Sequence, residues 1–146
     1  MYRFTNYRDA INLSSHPLVQ DVEKAINGEY SASECYARLA NLAPSKKVRE
    51  QILEIRQDEI KHYQQFVQIY RGLTGIPPQP KITEDCPEGF LRGLEFAIED
   101  EQKTVDFYME IADAATDPFI KEVFRRAAAD EQNHAVWFLY YFTISK

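Results

Sequence analysis

The apolar residues of this chain recur every three or four positions, which is the period of an amphipathic α-helix. Breaks at Pro17, Pro44-Ser45 and Asp117-Pro118 separate the periodic segments, because proline and a short polar cap favour helix starts. The pattern predicts four helices over 17–43, 45–72, 87–115 and 118–144, after a polar and aromatic arm of 13 residues. The second and fourth helices carry the clearest stripes, which are Val48, Ile52, Ile55, Glu59, His62, Phe66, Ile69 and Ile120, Phe124, Ala127, Glu131, His134, Phe138, Tyr141.

One interruption, GLTGIPPQPKITEDCP over residues 72–87, is much longer than the others. A helix of about 28 residues is about 42 Å long, and an extended link of about 14 residues spans about 46 Å. Such a link can run the length of a bundle and leave the second and third helices parallel. Two short hairpins joined by a long crossover predict an all-α, ferritin-like four-helix bundle, with residues 1–146 as a single domain.

The two hairpins are related by an internal repeat with a period of 72 residues. A shift by 72 places identical residues on one another along both helices of each hairpin. The matched pairs include Ala25 and Ala97, Glu29 and Glu101, Tyr36 and Tyr108, Asp58 and Asp130, Glu59 and Glu131, and His62 and His134. The chain is therefore expected to be a duplicated helical hairpin.

Each hairpin carries a glutamate on its first helix and a Glu-x-x-His pair on its second. Glu and His three positions apart share one helical face, and all four glutamates lie near their helix midpoints. Packing the hairpins therefore brings six side chains together, namely Glu29, Glu59, His62, Glu101, Glu131 and His134. Buried carboxylates are costly as bare anions, and two divalent cations neutralise four of them. A lone Glu-x-x-His is usually a solvated pair, but two of the three histidines here occupy equivalent positions, which favours a two-metal site.

Residues beside these six are candidates for supporting roles. Tyr36 and Tyr108 follow the first glutamate of each hairpin by nearly two turns, so they are expected to donate to Glu131 and Glu59, respectively. The alternative is that both are ordinary core tyrosines.

Asp58 and Asp130 directly precede the Glu-x-x-His motifs. They are expected to accept the second ring proton of His134 and His62, the usual partner of a metal-bound imidazole. The alternative is that both aspartates are exposed. His16 lies outside the pattern and is expected to be a surface or capping residue.

Composition excludes several classes of protein. The formal charge of −6 argues against a protein that mainly binds nucleic acid or an anionic membrane. No apolar run approaches the roughly 18 to 20 residues that span a bilayer, and charges near the N-terminus do not suit a signal peptide, so a soluble, cytoplasmic protein is expected. Cys35 and Cys86 do not make a disulfide framework, and neither is expected to bind the metals or to form a redox pair at the site.

The segments GEYSASECY, DEIKHYQQF, DEQKTVDFY and DEQNHAVWF resemble the rubrerythrin branch of the ferritin-like di-iron carboxylate proteins. The resemblance covers residues 23–142. It implies that Glu29 and Glu101 are terminal ligands, that Glu59 and Glu131 bridge two ions, and that His62 and His134 each bind one ion.

The chain departs from rubrerythrins at two points. Thr104 stands where they typically carry a further glutamate, and the sequence has no C-x-x-C of a rubredoxin module. Electrons are therefore expected to come from a separate donor.

Oxygen-rich ligation with one imidazole per ion suits iron, with manganese as the alternative. The resemblance implies a di-iron oxidoreductase that consumes hydrogen peroxide or dioxygen, with Fe(II) or an external donor as reductant. Two other functions stay open, namely an iron storage or handling protein and a non-catalytic metal-binding bundle.

The last helix is apolar beyond its inward stripe, at Val136, Trp137, Leu139, Tyr140 and Phe142. A patch of this size usually marks an interface, and two-fold pairs are the commonest soluble oligomers. A homodimer is therefore expected, the alternative being that residues 1–13 fold back over the patch.

Overall fold

The computed structural model describes residues 16–146 and consists of four α-helices. They are α1 (Pro17–Asn41), α2 (Lys46–Thr74), α3 (Phe90–Ala114) and α4 (Pro118–Ser145). The predicted bounds agree with these within three residues. The long link runs from residue 75 to residue 89.

Short polar caps begin three of the helices. The side chain of His16 accepts a hydrogen bond from the backbone N–H of Leu18, so this residue is a cap. Ser45 caps α2 and Asp117 caps α4 in the same way. Gly75 ends α2 with a φ of 76°, a left-handed conformation that glycine adopts without strain.

Two apolar clusters show how the helices run. One cluster joins the start of α1, the end of α2, the end of α3 and the start of α4. The other joins the opposite helix ends. Helices α2 and α3 therefore both end at the first cluster and are parallel, which confirms the predicted ferritin-like connectivity. Along each helix the candidate metal ligands fall between residues of one cluster and residues of the other, so they form a polar layer between the two.

The crossover is held against one face of α1. Asn27, Ser31 and Cys35 are spaced by four residues and so lie along one helical face. Asn27 Oδ1 accepts a hydrogen bond from the backbone N–H of Lys81 at 2.9 Å, and Ser31 Oγ accepts one from Thr83 at 2.9 Å.

The third link is a disulfide between Cys35 and Cys86. The sequence analysis did not expect these cysteines to pair, and that interpretation was wrong. The sequence analysis considered Cys35 within its helix and Cys86 within the crossover, each separately. The contact between them depends on where the crossover passes α1.

The apolar patch on α4 is smaller than the sequence suggested. Trp137 and Phe142 are half-buried and pack against the core. Val136, Leu139, Tyr140 and Ile144 remain more than half exposed on one face of the helix. The arm over residues 1–13, the other candidate cover, lies outside the described residues. Within residues 16–146, no helix has both the length and the apolar character needed to cross a membrane.

The disulfide is expected to stabilise the fold. Replacing both residues, Cys35→Ala with Cys86→Ala, should lower the free energy of unfolding by about 2 to 4 kcal/mol, because the bond links positions 51 residues apart. Urea unfolding followed by circular dichroism measures the change, and adding a thiol reductant to the unaltered protein should reproduce it. The double variant should keep its metal ions, since neither sulfur belongs to a candidate ligand group. A midpoint that is insensitive to both treatments would contradict the prediction.

The expected homodimer can be tested by changing the exposed apolar face of α4. Light scattering should give about twice the 17.0 kDa chain mass. Leu139→Lys should produce a monomer, because it places a charge within the apolar patch. Ile76→Lys is the matched control, since Ile76 is equally exposed at the opposite end of the bundle. A monomeric unaltered protein would show that the face needs no second copy.

Candidate metal centre

The six residues expected to bind metal meet in one buried layer. They come from the middle of all four helices, with Glu29 on α1, Glu101 on α3, and a Glu-x-x-His pair on each of α2 and α4. Each of the six is about 1% exposed. The apolar stripes of α2 and α4 therefore turn these polar side chains inward, as the sequence predicted.

The six residues form two overlapping groups. Ligand atoms of Glu29, Glu59, His62 and Glu131 lie within 4.8 Å of one another, and so do those of Glu59, Glu101, Glu131 and His134. Glu59 and Glu131 belong to both groups. Each group offers three carboxylates and one imidazole, which is a complete set of protein ligands for one divalent ion.

Unpartnered polar atoms mark the same place. Within the described residues, six buried side-chain oxygen and nitrogen atoms make no hydrogen bond of acceptable geometry, and each of the six candidate ligands supplies one, although His62 Nδ1 lies 2.9 Å from Glu131 Oε1 and His134 Nδ1 lies 3.1 Å from Glu59 Oε1. They are Glu29 Oε2, Glu59 Oε1, His62 Nδ1, Glu101 Oε2, Glu131 Oε1 and His134 Nδ1. Unpaired buried polar atoms are costly, and two metal ions would provide the missing partners. The donor set therefore fits a two-metal centre.

Each histidine is oriented by an aspartate from the opposite hairpin. His62 Nε2 lies 2.8 Å from Asp130 Oδ2, and His134 Nε2 lies 2.9 Å from Asp58 Oδ2. An ionised aspartate only accepts, so both Nε2–H groups donate. These are the partners expected from the sequence, and they leave the Nδ1 atoms facing the glutamates.

Without cations, the glutamates keep the histidines charged. Burial lowers the pKa of His62, but the carboxylates of Asp130 and Glu29 outweigh this effect and raise it to about 10. Burial likewise opposes charge on His134, while Glu101 and Glu59 raise its pKa to about 12. Metal ions bind neutral imidazole, so loading the centre must release these protons.

The shared glutamates behave differently from Glu101. Burial and the neighbouring carboxylates raise the pKa of both Glu59 and Glu131 well above the ordinary value. Burial also acts to raise the pKa of Glu101, but Glu131 and His134 beside it reverse the effect and lower it. Protons on the two shared glutamates and the two histidines therefore balance the charge that divalent cations would neutralise.

The two tyrosines hold the unshared glutamates. Tyr36 OH donates to Glu101 Oε1 at 2.6 Å, and Tyr108 OH donates to Glu29 Oε1. The sequence analysis named Glu131 and Glu59 as their partners, and this was wrong because each tyrosine reaches across to the first helix of the other hairpin. Burial raises the pKa of both hydroxyls well above 10, so they stay protonated donors. Each leaves the Oε2 atom of its glutamate without a hydrogen bond and near a histidine, with Glu29 Oε2 3.7 Å from His62 Nδ1 and Glu101 Oε2 3.5 Å from His134 Nδ1.

A cavity of about 450 Å³ lies beside the centre, between α1, α3 and the crossover. Glu29, Glu59, Glu131 and Tyr108 line it on the side of the centre. Thr104 of α3 also lines it.

Two acidic residues that sequence reasoning missed line the same cavity, Glu84 of the crossover and Asp100 of α3. Burial and a hydrogen bond with Glu84 raise the pKa of Asp100 to about 8. No sequence signal pairs them, since Glu84 is placed only by the path of the crossover.

Comparisons with known proteins agree with this arrangement. The sequence profile of the family described as Rubrerythrin matches residues 93–143. The chain is 56% identical over 124 residues to "Uncharacterized protein YhjR" of Bacillus subtilis (strain 168), which covers 85% of this chain and 86% of the relative.

Two solved structures share the fold at 18% identity. A hypothetical protein from Pyrococcus furiosus superimposes with a TM-score of 0.75 over 92% of this chain and 94% of its own. A Rhodobacter capsulatus bacterioferritin, described as having a metal-free dinuclear site and haem iron, has a TM-score of 0.70 over 87% of this chain and 84% of its own.

Removing a shared glutamate should empty the whole centre. Glu59→Ala is expected to reduce metal content from about two ions per chain to nearly none, because Glu59 belongs to both ligand groups. His62→Ala should leave about one ion, since His62 belongs to one group. Metal analysis of the purified proteins measures this, and Glu54→Ala, an exposed glutamate of the same helix, is the control. Two ions retained in Glu59→Ala would disprove the assignment.

Proposed function

Because this chain belongs to the rubrerythrin-like branch of the ferritin-like di-iron carboxylate superfamily, we propose that it is a di-iron oxidoreductase. Its oxidant would be hydrogen peroxide or dioxygen. One observation carries the proposal, namely the two four-residue ligand groups that share Glu59 and Glu131. Two shared carboxylates would hold two ions close enough to act on one small oxidant together.

The ligand chemistry supports iron. Three carboxylates and one imidazole per ion are hard and borderline donors, which suit Fe(II) or Mn(II), while no thiolate is present among the ligands to favour softer metals. When bound, two ferrous ions supply one electron each, which together reduce one peroxide to water. The protein itself contributes geometry, protons and the exclusion of water.

The side chains around the centre perform those tasks. Asp58 and Asp130 hold the imidazoles with Nδ1 directed at the glutamates. Tyr36 and Tyr108 fix the rotation of the two unshared carboxylates. These contacts would set the ligands in place before an ion arrives, which limits the cost of reorganisation when it binds.

Aromatic rings close the layer on both sides. Phe66 stacks on Phe124 at 4.5 Å between ring centroids, and Phe138 packs against Tyr36 at 5.0 Å. All are almost completely buried. The rings exclude bulk water from the layer along the length of the bundle, which leaves the cavity as the route to the centre.

Reduction of a peroxide consumes two protons as well as two electrons, and the chain has proton carriers at the cavity. Tyr108 lines it with a hydroxyl that stays protonated. Burial and the neighbouring Glu84 raise the pKa of Asp100 to about 8 in the absence of cations, which brings this carboxyl into the range where it can exchange a proton near neutral pH. Electrons would come from a separate donor, because the sequence has no C-x-x-C and its two cysteines form the disulfide to the crossover.

Stopped-flow spectroscopy of the anaerobic protein loaded with about two Fe(II) per chain tests the proposal. One hydrogen peroxide should oxidise two Fe(II), and turnover should continue when a reductant is supplied. Glu131→Ala should react no faster than free ferrous iron, whereas Glu54→Ala should match the unaltered protein because Glu54 is exposed and outside the ligand groups.

Other results would favour the other two functions. Uptake of many iron ions per chain into a large shell would indicate storage. Two tightly held ions that react with neither peroxide nor dioxygen would indicate a non-catalytic bundle. Either result contradicts the proposal.

A further inference from the structure

The cavity beside the centre is larger than hydrogen peroxide requires. Its volume is about 450 Å³, whereas one water molecule occupies about 30 Å³ in the liquid and hydrogen peroxide is only slightly larger. Sites for small organic molecules have volumes of about 300 to 1,000 Å³. The space is therefore that of an organic ligand, and it opens on the shared glutamates Glu59 and Glu131.

Small residues on both facing helices create this space. On α1 they are Ala25, Gly28 and Ala32, spaced by three and four residues and so placed on one face. A Cβ atom added at Gly28 would meet no atom within 4 Å. On α3, the hydroxyl of Thr104 donates a hydrogen bond to the carbonyl oxygen of Asp100 at 2.8 Å. This short side chain therefore stays close to its own helix.

The lining combines apolar walls with acidic groups. Ala25, Ala32 and the ring of Phe107 form apolar walls. Besides the candidate ligands Glu29, Glu59 and Glu131, the carboxylates of Glu23 and Glu84 line the cavity, together with the Asp100 carboxyl that shares a hydrogen bond with Glu84. Among the described residues that line it, the one cationic side chain is Lys24, which already lies over the Phe107 ring, with Nζ 4.5 Å from the centroid. These walls suit a neutral organic group and disfavour an anionic one.

From these observations, which rest on the proposed function, we propose that the cavity binds the organic part of a neutral alkyl or aryl hydroperoxide. The hydroperoxide group then lies at the end nearest Glu59 and Glu131. In the reaction the O–O bond breaks, the hydroperoxide gains two electrons and two protons, and an alcohol and water form. The electrons would come from two ferrous ions held by the six candidate ligands, and the external donor of the proposed function would restore them.

Binding is tested apart from turnover with cumyl alcohol, the alcohol that cumene hydroperoxide would yield. Calorimetry on the iron-containing protein should show one cumyl alcohol bound per chain. Gly28→Leu should abolish this binding, because the new side chain grows into the open space at that position. Gly72→Leu is the matched control, since Gly72 is also helical with nothing within 4 Å of an added Cβ but does not line the cavity.

Turnover is tested by the ratio of cumene hydroperoxide to hydrogen peroxide consumption. Gly28→Leu and Thr104→Leu should each lower this ratio about tenfold or more, because even one methylene of lost space costs that much. Thr143→Leu is the control for the second variant. Thr143 makes the same hydrogen bond to the carbonyl four residues earlier, at 2.8 Å, on an exposed surface.

The outcomes separate the inference from the proposed function. Hydrogen peroxide turnover without cumyl alcohol binding overturns the inference alone. Preferred turnover of a fatty-acid hydroperoxide, which is anionic, overturns the assignment of a neutral substrate. The protein could bind cumyl alcohol, lose that binding in Gly28→Leu, and yet reduce no peroxide. This result would support an organic binding site but overturn both the hydroperoxide substrate and the proposed function.

Discussion

The structure depends on the burial of four glutamates and two histidines in the middle of a small bundle. Unneutralised carboxylates in such a layer cost several kcal/mol each, and apolar clusters on both sides exclude water. Protons on the shared glutamates and on the histidines offset this cost in the absence of cations. Two divalent ions would do so while also satisfying the six unpartnered atoms. Folding and metal binding are therefore coupled through one layer.

The duplication explains why this layer has paired supports. Each hairpin contributes an aspartate that orients the histidine of the other hairpin, and a tyrosine that holds the other hairpin's first glutamate. Every such contact crosses between the halves. Neither hairpin alone can complete a ligand group, because each group includes residues from both.

The crossover breaks the symmetry of the duplicated halves. It is tied to α1 through Asn27, Ser31 and the disulfide at Cys35, and it brings Glu84 to the cavity. Both members of two pairs that the repeat makes equivalent line that cavity, namely Gly28 with Asp100 and Ala32 with Thr104. The candidate ligands are related by the internal repeat, whereas the proposed substrate site depends on the positions at which the two hairpins differ.

The sequence by itself determined the four helices, their parallel and antiparallel order, the inward stripes, and the grouping of six candidate ligands with their aspartate partners. These features follow from helical period, caps, link length and the 72-residue repeat, which act locally or by symmetry. Only the tertiary structure decided that Tyr36 bonds Glu101, that Cys35 pairs with Cys86, and that Glu84 meets Asp100 beside a cavity. Those contacts depend on the rotation of neighbouring helices and on the path of an irregular link, neither of which has a periodic signature in the sequence.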